Sequence, residues 1–370
     1  MTQADSMQCR RVRSILQLFL LATLVFTVVY LLNSSQPSIH TLVTETHRQL
    51  NSLKHINLKD SLRSSEPRLK VDNKYLVALG FTRAPRLYPA DVWTNVTLPV
   101  VVTAARSGQG ESVTGLVLSA RRHQPQLTVI VYDLGLGRYE RQQLQASCNS
   151  SMCWLQPLLF ADYPSQLDEA KTRAFVPVVI QEVLNKAGAV LWLDAGRRLL
   201  PGSPVRLVER ARQLGVVAWP LRLQETEDEP APVPTTAFTH YKMFNYFNAN
   251  VEQFYFHKMV SDEALIIFNT ADVHRRLMLP WLQCALLPDC VAPTGAQAGG
   301  CRFNKKPHYR YSGCHGYDTS ALNVALGQMF RPDVTPYIQT ERLERAELPD
   351  GPLDPAANVT VTATTTTTRP

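Results

Sequence analysis

The chain has 370 residues, of which 45% are hydrophobic and 19% charged, and its formal net charge at pH 7 is +7. This length and apolar content suit one domain of ordinary size with extensions. The mild positive charge fits an anionic ligand or an acidic glycan, and the absence of a Lys/Arg run argues against a nucleic-acid partner.

An apolar segment near the N-terminus predicts a membrane anchor. Residues 15–32 carry no charge, and this length is just sufficient for one membrane-spanning helix. Three arginines lie among residues 10–13, whereas no Lys or Arg follows the segment before Arg48, so the N-terminus is expected in the cytoplasm. A cleaved signal peptide is the alternative, but its apolar region is normally about 7–15 residues long and ends at a small-residue cleavage site. The sequence "VVYLLNSSQ" is a poor cleavage site.

The pattern along the chain predicts five segments. Residues 1–14 form a cytoplasmic tail, 15–32 the anchor, 33–90 a polar stem, 91–335 a lumenal domain and 336–370 a C-terminal tail. The tail ends in the low-complexity stretch "TVTATTTTTRP", which is predicted to be disordered.

Six cysteines follow the anchor and form an even set in an oxidising compartment: Cys148, Cys153, Cys284, Cys290, Cys301 and Cys314. They are predicted to form up to three disulfides. "CALLPDC" with the later cysteines and His315 could suggest zinc, but the spacing matches no familiar zinc motif. Cys148 is expected to pair with Cys153, because "CNSSMC" closes a small loop, while the pairing of the other four stays open.

Strand-like and helix-like segments alternate within the predicted domain. In chain order they are strand 98–105, helix 111–123, strand 127–136, helix 176–188, strand 189–194, helix 203–215, strand 216–221 and helix 319–330. Gly188 and Gly215 stand where two of the helices end, and Ser203 and Pro204 stand where one begins. Strands separated by single helices predict an α/β domain with a largely parallel sheet.

Two acidic residues follow predicted strands, Asp133 after "TVIVY" and Asp194 after "AVLWL". Ligands of such sheets bind outside the carboxyl ends of the strands, so both acids are candidate site residues. The alternative is that each forms a turn with a nearby glycine, Gly135 or Gly196.

Three motifs carry a family resemblance. "VLWLDAGRRL", "MLPWLQCALLPDCVAP" and "CHGYDTSALNVAL" together resemble an uncharacterised metazoan family of nucleotide-diphospho-sugar transferase-like proteins, over about residues 98–330. An acidic motif at a strand end, behind an anchor and a stem, also resembles glycosyltransferases of the GT-A fold. The resemblance implies a GT-A-like, Rossmann-type domain with a mostly parallel central sheet. It further implies a nucleotide-sugar donor, a glycan or glycoprotein acceptor, and a single-pass type II protein of the Golgi or endoplasmic-reticulum membrane.

The resemblance also implies roles for the strand-end motif. GT-A enzymes carry an Asp-x-Asp here that holds a divalent metal against the donor diphosphate, which makes Asp194 the candidate ligand for Mn²⁺ or Mg²⁺. Arg197 and Arg198 are candidates for direct pairing with the diphosphate, or else form an exposed basic turn. Arg106, in "AARSGQG", and Asp133 are candidates near the nucleotide.

The motif "CHGYDTSALN" supplies two more candidates. Asp318 could act as general base toward the acceptor; alternatively, it caps the following helix by accepting a hydrogen bond from the Ala321 N–H. His315 could ligate the metal or contact phosphate, and a packed structural histidine is the alternative.

Departures from the family pattern favour a second class of function. Asp194 is followed by Ala-Gly and has lost the second acid, and Thr319 stands where the family has glutamine. The basic residue expected near Val176 is missing, with Lys171 and Arg173 the nearest. An exported binding or scaffold protein on the same fold, without turnover, is therefore the alternative to a glycosyltransferase.

The predicted topology can be tested through the sequons. Asn95, Asn149 and Asn358 each begin an Asn-x-Ser/Thr sequence, and Asn33 does so beside the anchor. We expect at least one of the first three to be glycosylated, so endoglycosidase treatment should increase gel mobility. Unchanged mobility, with a C-terminus that protease digests outside intact microsomes, would contradict the predicted topology.

Overall fold

The computed structural model describes residues 20–29, 68–82, 85–90, 98–201, 205–222 and 232–339. The chain divides into two compact units, Met1–Glu66 and Pro67–Pro370. In the first unit, residues 20–29 are helical, within the predicted anchor 15–32, whose remaining positions lie outside the described residues. Among the described residues we find no helix with the length and apolar character that a bilayer span requires.

The second unit is built on a six-stranded sheet in the order β3-β2-β1-β4-β6-β5. The strands are β1 Val100–Ala105, β2 Val129–Asp133, β3 Cys153–Pro157, β4 Ala189–Leu193, β5 Val216–Pro220 and β6 Val260–Phe268. β1 pairs in parallel with β2 and β4, and β2 pairs in parallel with β3. β6 is antiparallel to both β4 and β5. The predicted α/β class with a mostly parallel sheet is confirmed.

Helices connect and cover the strands. They are α1 Asn73–Ala78, α2 Gly110–His123, α3 Arg138–Ser147, α4 Phe175–Ala187, α5 Val205–Leu214, α6 Tyr241–Tyr246, α7 Leu279–Ala285, α8 Pro288–Val291 and α9 Asp318–Phe330. A π-helical segment, Val273–Met278, precedes α7. Short 3-10 turns occupy Phe160–Asp162, Ser165–Asp168, Thr235–Ala237 and Val251–Phe254. All of the predicted strands and helices are present, whereas β3, β6, α1, α3, α6, α7 and α8 were not predicted.

The central strands are continuous apolar runs because helices cover both faces of the sheet. Every residue of β4 is buried. Val190 and Trp192 face the larger core cluster, with α4, α7 and α9, whereas Leu191 and Leu193 face the smaller cluster, with α2 and α5. Such double burial is typical of parallel sheets and explains why the strand pattern was visible in the sequence.

Packing extends into the ranges predicted as stem and tail. Leu79, in the stem range 33–90, is fully buried, and its carbonyl accepts hydrogen bonds from Gln181 and Asn185 of α4. In the tail range 336–370, Tyr337 is fully buried, and the Gln339 N–H donates to the carbonyl of Ala218 in β5. Both stretches therefore contribute to the fold, because each supplies buried side chains or backbone partners.

The six cysteines form three disulfides. Cys148 pairs with Cys153, as predicted, and the other pairs are Cys284–Cys290 and Cys301–Cys314. Since every one of these sulfurs is bonded to another, the zinc alternative is not realised. Asn149, beside the first pair, is exposed, and the other three sequon asparagines lie outside the described residues.

Close packing against α9 generates a stability prediction. A Cβ on Gly327 would lie 2.3 Å from Cε1 of Phe254, whose ring is buried in the core. Gly327→Ala should therefore lower the free energy of unfolding by about 1–3 kcal/mol through overpacking, although alanine in a helix is otherwise favoured over glycine by about 1 kcal/mol. Urea unfolding measures the change. Gly299→Ala is the matched control, because its Cβ would meet no atom within 4 Å. An increase in stability for Gly327→Ala would contradict the packing.

Candidate functional site

The candidate site lies where the sheet changes its winding direction. The chain passes from β1 outward to β2 and β3, and then returns to β4 on the other side of β1. Ligands of open α/β sheets bind outside the carboxyl ends of the strands at such a switch point. Residues 106–109 follow β1 there, and residues 194–199 follow β4. The first residues of β6 lie at the same edge because β6 is antiparallel to β4.

Arg173 joins two carboxylates at this edge. Its Nη1 donates to Oδ1 of Asp194 at 2.8 Å, and its Nε donates to Oδ2 of Asp262 at 2.7 Å. The other oxygen of Asp262 accepts from the Thr319 hydroxyl at 2.8 Å. Burial lowers the pKa of Arg173, but the charges of Asp262 and Asp194 outweigh it and raise the pKa above its usual range. Arg173 is therefore a permanent cation that links β4 and β6 to the start of α4.

The backbone around Arg173 is unusual for a residue with a side chain. Arg173 has φ 54, in the left-handed region that non-glycine residues rarely adopt. It lies just before α4, and its carbonyl accepts from the Val176 N–H at 2.9 Å. Residues held in sparsely populated backbone conformations cluster at functional sites, where the surroundings over-determine them.

Asp194 combines both interpretations that the sequence offered. Its carbonyl accepts from the Arg197 N–H at 2.9 Å, so its backbone does form a turn. Its carboxylate takes no part in that turn and instead binds Arg173. The acid therefore belongs to the site, but a guanidinium already occupies the carboxylate.

The two arginines after Asp194 face protein partners. Arg197 forms an ion pair with Glu263 of β6. Arg198 donates to the carbonyls of Ala195 and Arg197 and packs on Gly115 of α2, where an added Cβ would lie 2.4 Å from Nη2. Burial lowers the pKa of Arg198. In this geometry both side chains are half-buried and stabilise the loop after β4, so they form neither the predicted contacts with a diphosphate nor the exposed basic turn that was the alternative.

Arg106 retains donors that no residue of the described part of the chain accepts from. Its Nη1 donates to Oδ1 of Asp168 at 2.7 Å, and its guanidinium lies over the rings of Phe160 and Phe175, 5.2 and 5.7 Å from their centroids. Within the described part of the chain, its Nε and Nη2 are buried and have no hydrogen-bond partner, and the same is true of Nη2 of Arg173. Two arginines at the switch point thus present unmatched N–H groups.

The carboxylate of Glu140 accepts hydrogen bonds from backbone amides of the loop after β1. Oε1 of Glu140 accepts from the N–H groups of Gly108 and Gly110 at 2.9 and 3.0 Å, and Oε2 accepts from Gly137 at 2.8 Å. These hydrogen bonds, led by the one from Gly137, lower the pKa of Glu140. The loop was predicted to meet the nucleotide, but its glycine amides already bind an internal anion. The sequence analysis did not identify Glu140. The sequence feature that could have indicated it is its position three residues after Gly137, in the first turn of α3.

Asp133 forms the turn that was its alternative interpretation. Its Oδ1 accepts from the N–H groups of Gly135 and Leu136 at 2.8 and 2.7 Å, and its Oδ2 accepts from Nε of Arg141 at 2.5 Å. Burial raises the pKa of this carboxyl, but the hydrogen bonds from Leu136, Arg141 and Gly135 outweigh it, so the pKa is lowered. The carboxylate therefore binds the loop between β2 and α3 and the side chain of Arg141.

Asp318 is sealed inside the protein. It is fully buried, and its Oδ1 accepts from the indole N–H of Trp281 at 2.8 Å. Burial and the charge of Asp262 raise its pKa well above the usual value. It does not cap α9 either, because Ala321 donates to the carbonyl of Tyr317. The buried carboxyl has no exposed surface that an acceptor hydroxyl could reach, so this geometry does not support the predicted general-base role.

His315 is a packed structural histidine. The His240 N–H donates to Nδ1 at 3.1 Å, and Nε2 lies 3.1 Å from the carbonyl of Val291. Because Nδ1 accepts, Nε2 carries the proton and donates, which leaves no lone pair for a metal. Burial lowers the pKa of His315 to about 3.

The donor set does not fit a divalent ion in this arrangement. Asp194 and Asp262 bind Arg173, His315 uses both nitrogens, and Asp318 is fully buried beside the indole of Trp281. Among the residues that the structure describes, no group of three or more His, Cys, Asp or Glu could hold a metal ion. The site as folded thus contains an arginine where the sequence predicted a metal.

Comparisons with known proteins find similarity in structure alone. No family model matches the chain, and no curated protein does. The bifunctional glycosyltransferase WbbM matches with 10% identity and a TM-score of 0.37, over 61% of this chain and 37% of its own length. Mouse xyloside xylosyltransferase 1 matches with 9% identity and a TM-score of 0.36, over 66% of this chain and 84% of its own.

A third match is the mannosyltransferase Ktr4p from S. cerevisiae, with 9% identity, a TM-score of 0.37, and coverage of 61% of this chain and 65% of its own. This chain therefore spans little more than a third of WbbM and just under two thirds of Ktr4p. Similarity at this level carries no assignment of activity. The function has to be argued from the site itself.

Asp318 generates a prediction for the pH dependence of stability. Its pKa is raised in the folded state, so its stabilising contribution is complete below the unfolded pKa of about 3.9 and is lost as pH rises toward the folded pKa. Asp318→Asn removes the ionisation, so the stability of this variant relative to wild type should increase progressively as pH rises above about 4.

Asp318→Ala separates the charge from the hydrogen bond. It leaves the Trp281 N–H without an acceptor, so its free energy of unfolding should be about 1–3 kcal/mol lower than that of Asp318→Asn at every pH. Urea unfolding of the three proteins across this pH range gives both comparisons. A pH-independent difference between wild type and Asp318→Asn would show that Asp318 is ionised in the fold.

Proposed function

We propose that the chain is a type II membrane glycosyltransferase with a GT-A-like domain, which transfers a sugar from a nucleotide-sugar donor to a glycan or protein acceptor in the Golgi or endoplasmic reticulum. The observation that carries the proposal is the pair Arg106 and Arg173 at the switch point between β1 and β4, where three buried guanidinium nitrogens have no hydrogen-bond partner among the described residues. The motif resemblance supplies the reaction class.

The chemistry of a sugar nucleotide fits this pair. The reaction leaves a nucleoside diphosphate, whose negative charge must be neutralised. A guanidinium group binds phosphate through charge-assisted hydrogen bonds, often through two parallel N–H···O bonds from the same group. A buried N–H without a partner costs about 1–3 kcal/mol, so unmatched donors favour an anion that completes them. Both side chains stay partly accessible, with 22% of Arg106 and 30% of Arg173 exposed.

One observation favours the second candidate function, a lumenal binding or scaffold protein without turnover. Asp318, the acid predicted to face the acceptor, is fully buried, and burial raises its pKa. Proton abstraction from an acceptor hydroxyl needs a base within hydrogen-bond reach. If no other group takes that role, the chain binds nucleotide sugar and does not transfer it.

Calorimetric titration with uridine and guanosine diphosphate tests the donor side. We expect wild type to bind one of them, and Arg106→Gln to bind it about tenfold or more weakly through the loss of a charge-assisted contact. The matched control is Arg122→Gln, an equal change at an exposed position at the far end of α2, which should leave affinity unchanged. Equal affinities for all three proteins would remove Arg106 from the site, and no binding to wild type would remove the proposed function.

Turnover then separates the two candidate functions. Wild type is incubated with nucleotide sugars and a glycan library, and release of nucleoside diphosphate is measured. Acceptor-dependent release supports the transferase, whereas nucleotide binding without release supports the binding protein.

A further inference from the structure

Asp194 and Asp262 form a ligand pair with a cation already in place. They lie at the end of β4 and the start of β6, and each binds a different nitrogen of the same guanidinium, at 2.8 and 2.7 Å. Carboxylate oxygens converging on one centre are the ligands that hard divalent cations prefer. Here that centre is Arg173, which brings one positive charge and fixed N–H directions.

A third carboxyl borders this pair from inside the protein. Asp318 is fully buried, and its Oδ2 has no hydrogen-bond partner among the described residues. Its neighbour in sequence, Thr319, donates to Asp262. Two carboxylates thus bind Arg173, and the third carboxyl is close enough for the charges of Asp262 and Arg173 to shift its pKa.

We propose that Asp194 and Asp262 are a latent divalent-cation site in which the guanidinium of Arg173 replaces the ion, and that the protein therefore binds the diphosphate of its donor without metal. Metal-independent binding of the donor rests on the proposed function, whereas the latent cation site does not. Arg173 neutralises the carboxylates through Nη1 and Nε, and its unmatched Nη2 is left for the anionic ligand.

Removal of the guanidinium should expose the latent site. In Arg173→Ala the two carboxylates lose their cation, and added Mn²⁺ should take its place because both are acidic oxygen ligands. Full-length protein in detergent is titrated with Mn²⁺ and followed by electron paramagnetic resonance of the free ion. We expect Arg173→Ala to bind one Mn²⁺ at least tenfold more tightly than wild type, and Mn²⁺ to raise its melting temperature.

Two control variants assign that binding. Arg173→Lys keeps a positive charge at this position, so its Mn²⁺ affinity should remain close to that of wild type. Arg173→Ala combined with Asp262→Asn removes a ligand and should lose the gained affinity. Wild-type protein that binds Mn²⁺ tightly and loses it in Asp194→Asn would overturn the proposal, as would an Arg173→Ala variant that folds and gains no affinity.

A measurement on wild type covers the case in which Arg173→Ala does not fold. Nucleoside diphosphate affinity is compared in Mn²⁺ and in chelator, and the proposal expects a ratio within twofold. A strict need for Mn²⁺ overturns the proposal and leaves the proposed function standing. No nucleotide binding in either buffer removes the proposed function and, with it, the metal-independence clause. The latent site is then tested on wild type alone. Tight Mn²⁺ binding by wild type that Asp194→Asn abolishes overturns the latent site. The absence of such Mn²⁺ binding supports the latent site.

Discussion

The edge of the sheet depends on one guanidinium. Arg173 lies between the carboxylates of Asp194 and Asp262, and without it two partly or fully buried negative charges would face each other across β4 and β6. Removing one partner of a buried ion pair is strongly destabilising because it leaves an uncompensated charge. The same arginine fixes the start of α4 and, through Asp262 and Thr319, the start of α9. The placement of four elements thus follows from a single cation.

The sequence revealed the fold where burial is continuous. β1, β2 and β4 are apolar runs buried on both faces, and α4 has a glycine that ends it in the left-handed conformation. β6 escaped prediction because the polar residues 261–263, "SDE", follow its first valine and interrupt the apolar pattern of the strand. α3 escaped because a single residue, Leu144, is buried, so no apolar period exists. Secondary structure was visible only where side-chain burial imposes a pattern.

The site was predictable in position but not in its contacts. The strand-end rule correctly located Asp194 at the carboxyl edge. Its partner Arg173 lies 21 residues away, and Asp262 lies 89 residues beyond that arginine. Ion pairs at such separations leave no periodic trace in a single sequence. The unmatched nitrogens of Arg106, by contrast, lie in a loop that the sequence had already singled out.

The disulfides bear on how the sheet is held together. Each of these six cysteines pairs with the next one of the set along the chain, at separations of 5, 6 and 13 residues. The first bond lies before β4 in the chain, and the other two follow the last strand, β6. None of the three bonds joins distant strands. The disulfides are therefore local constraints, and they leave the association of the six strands to non-covalent packing.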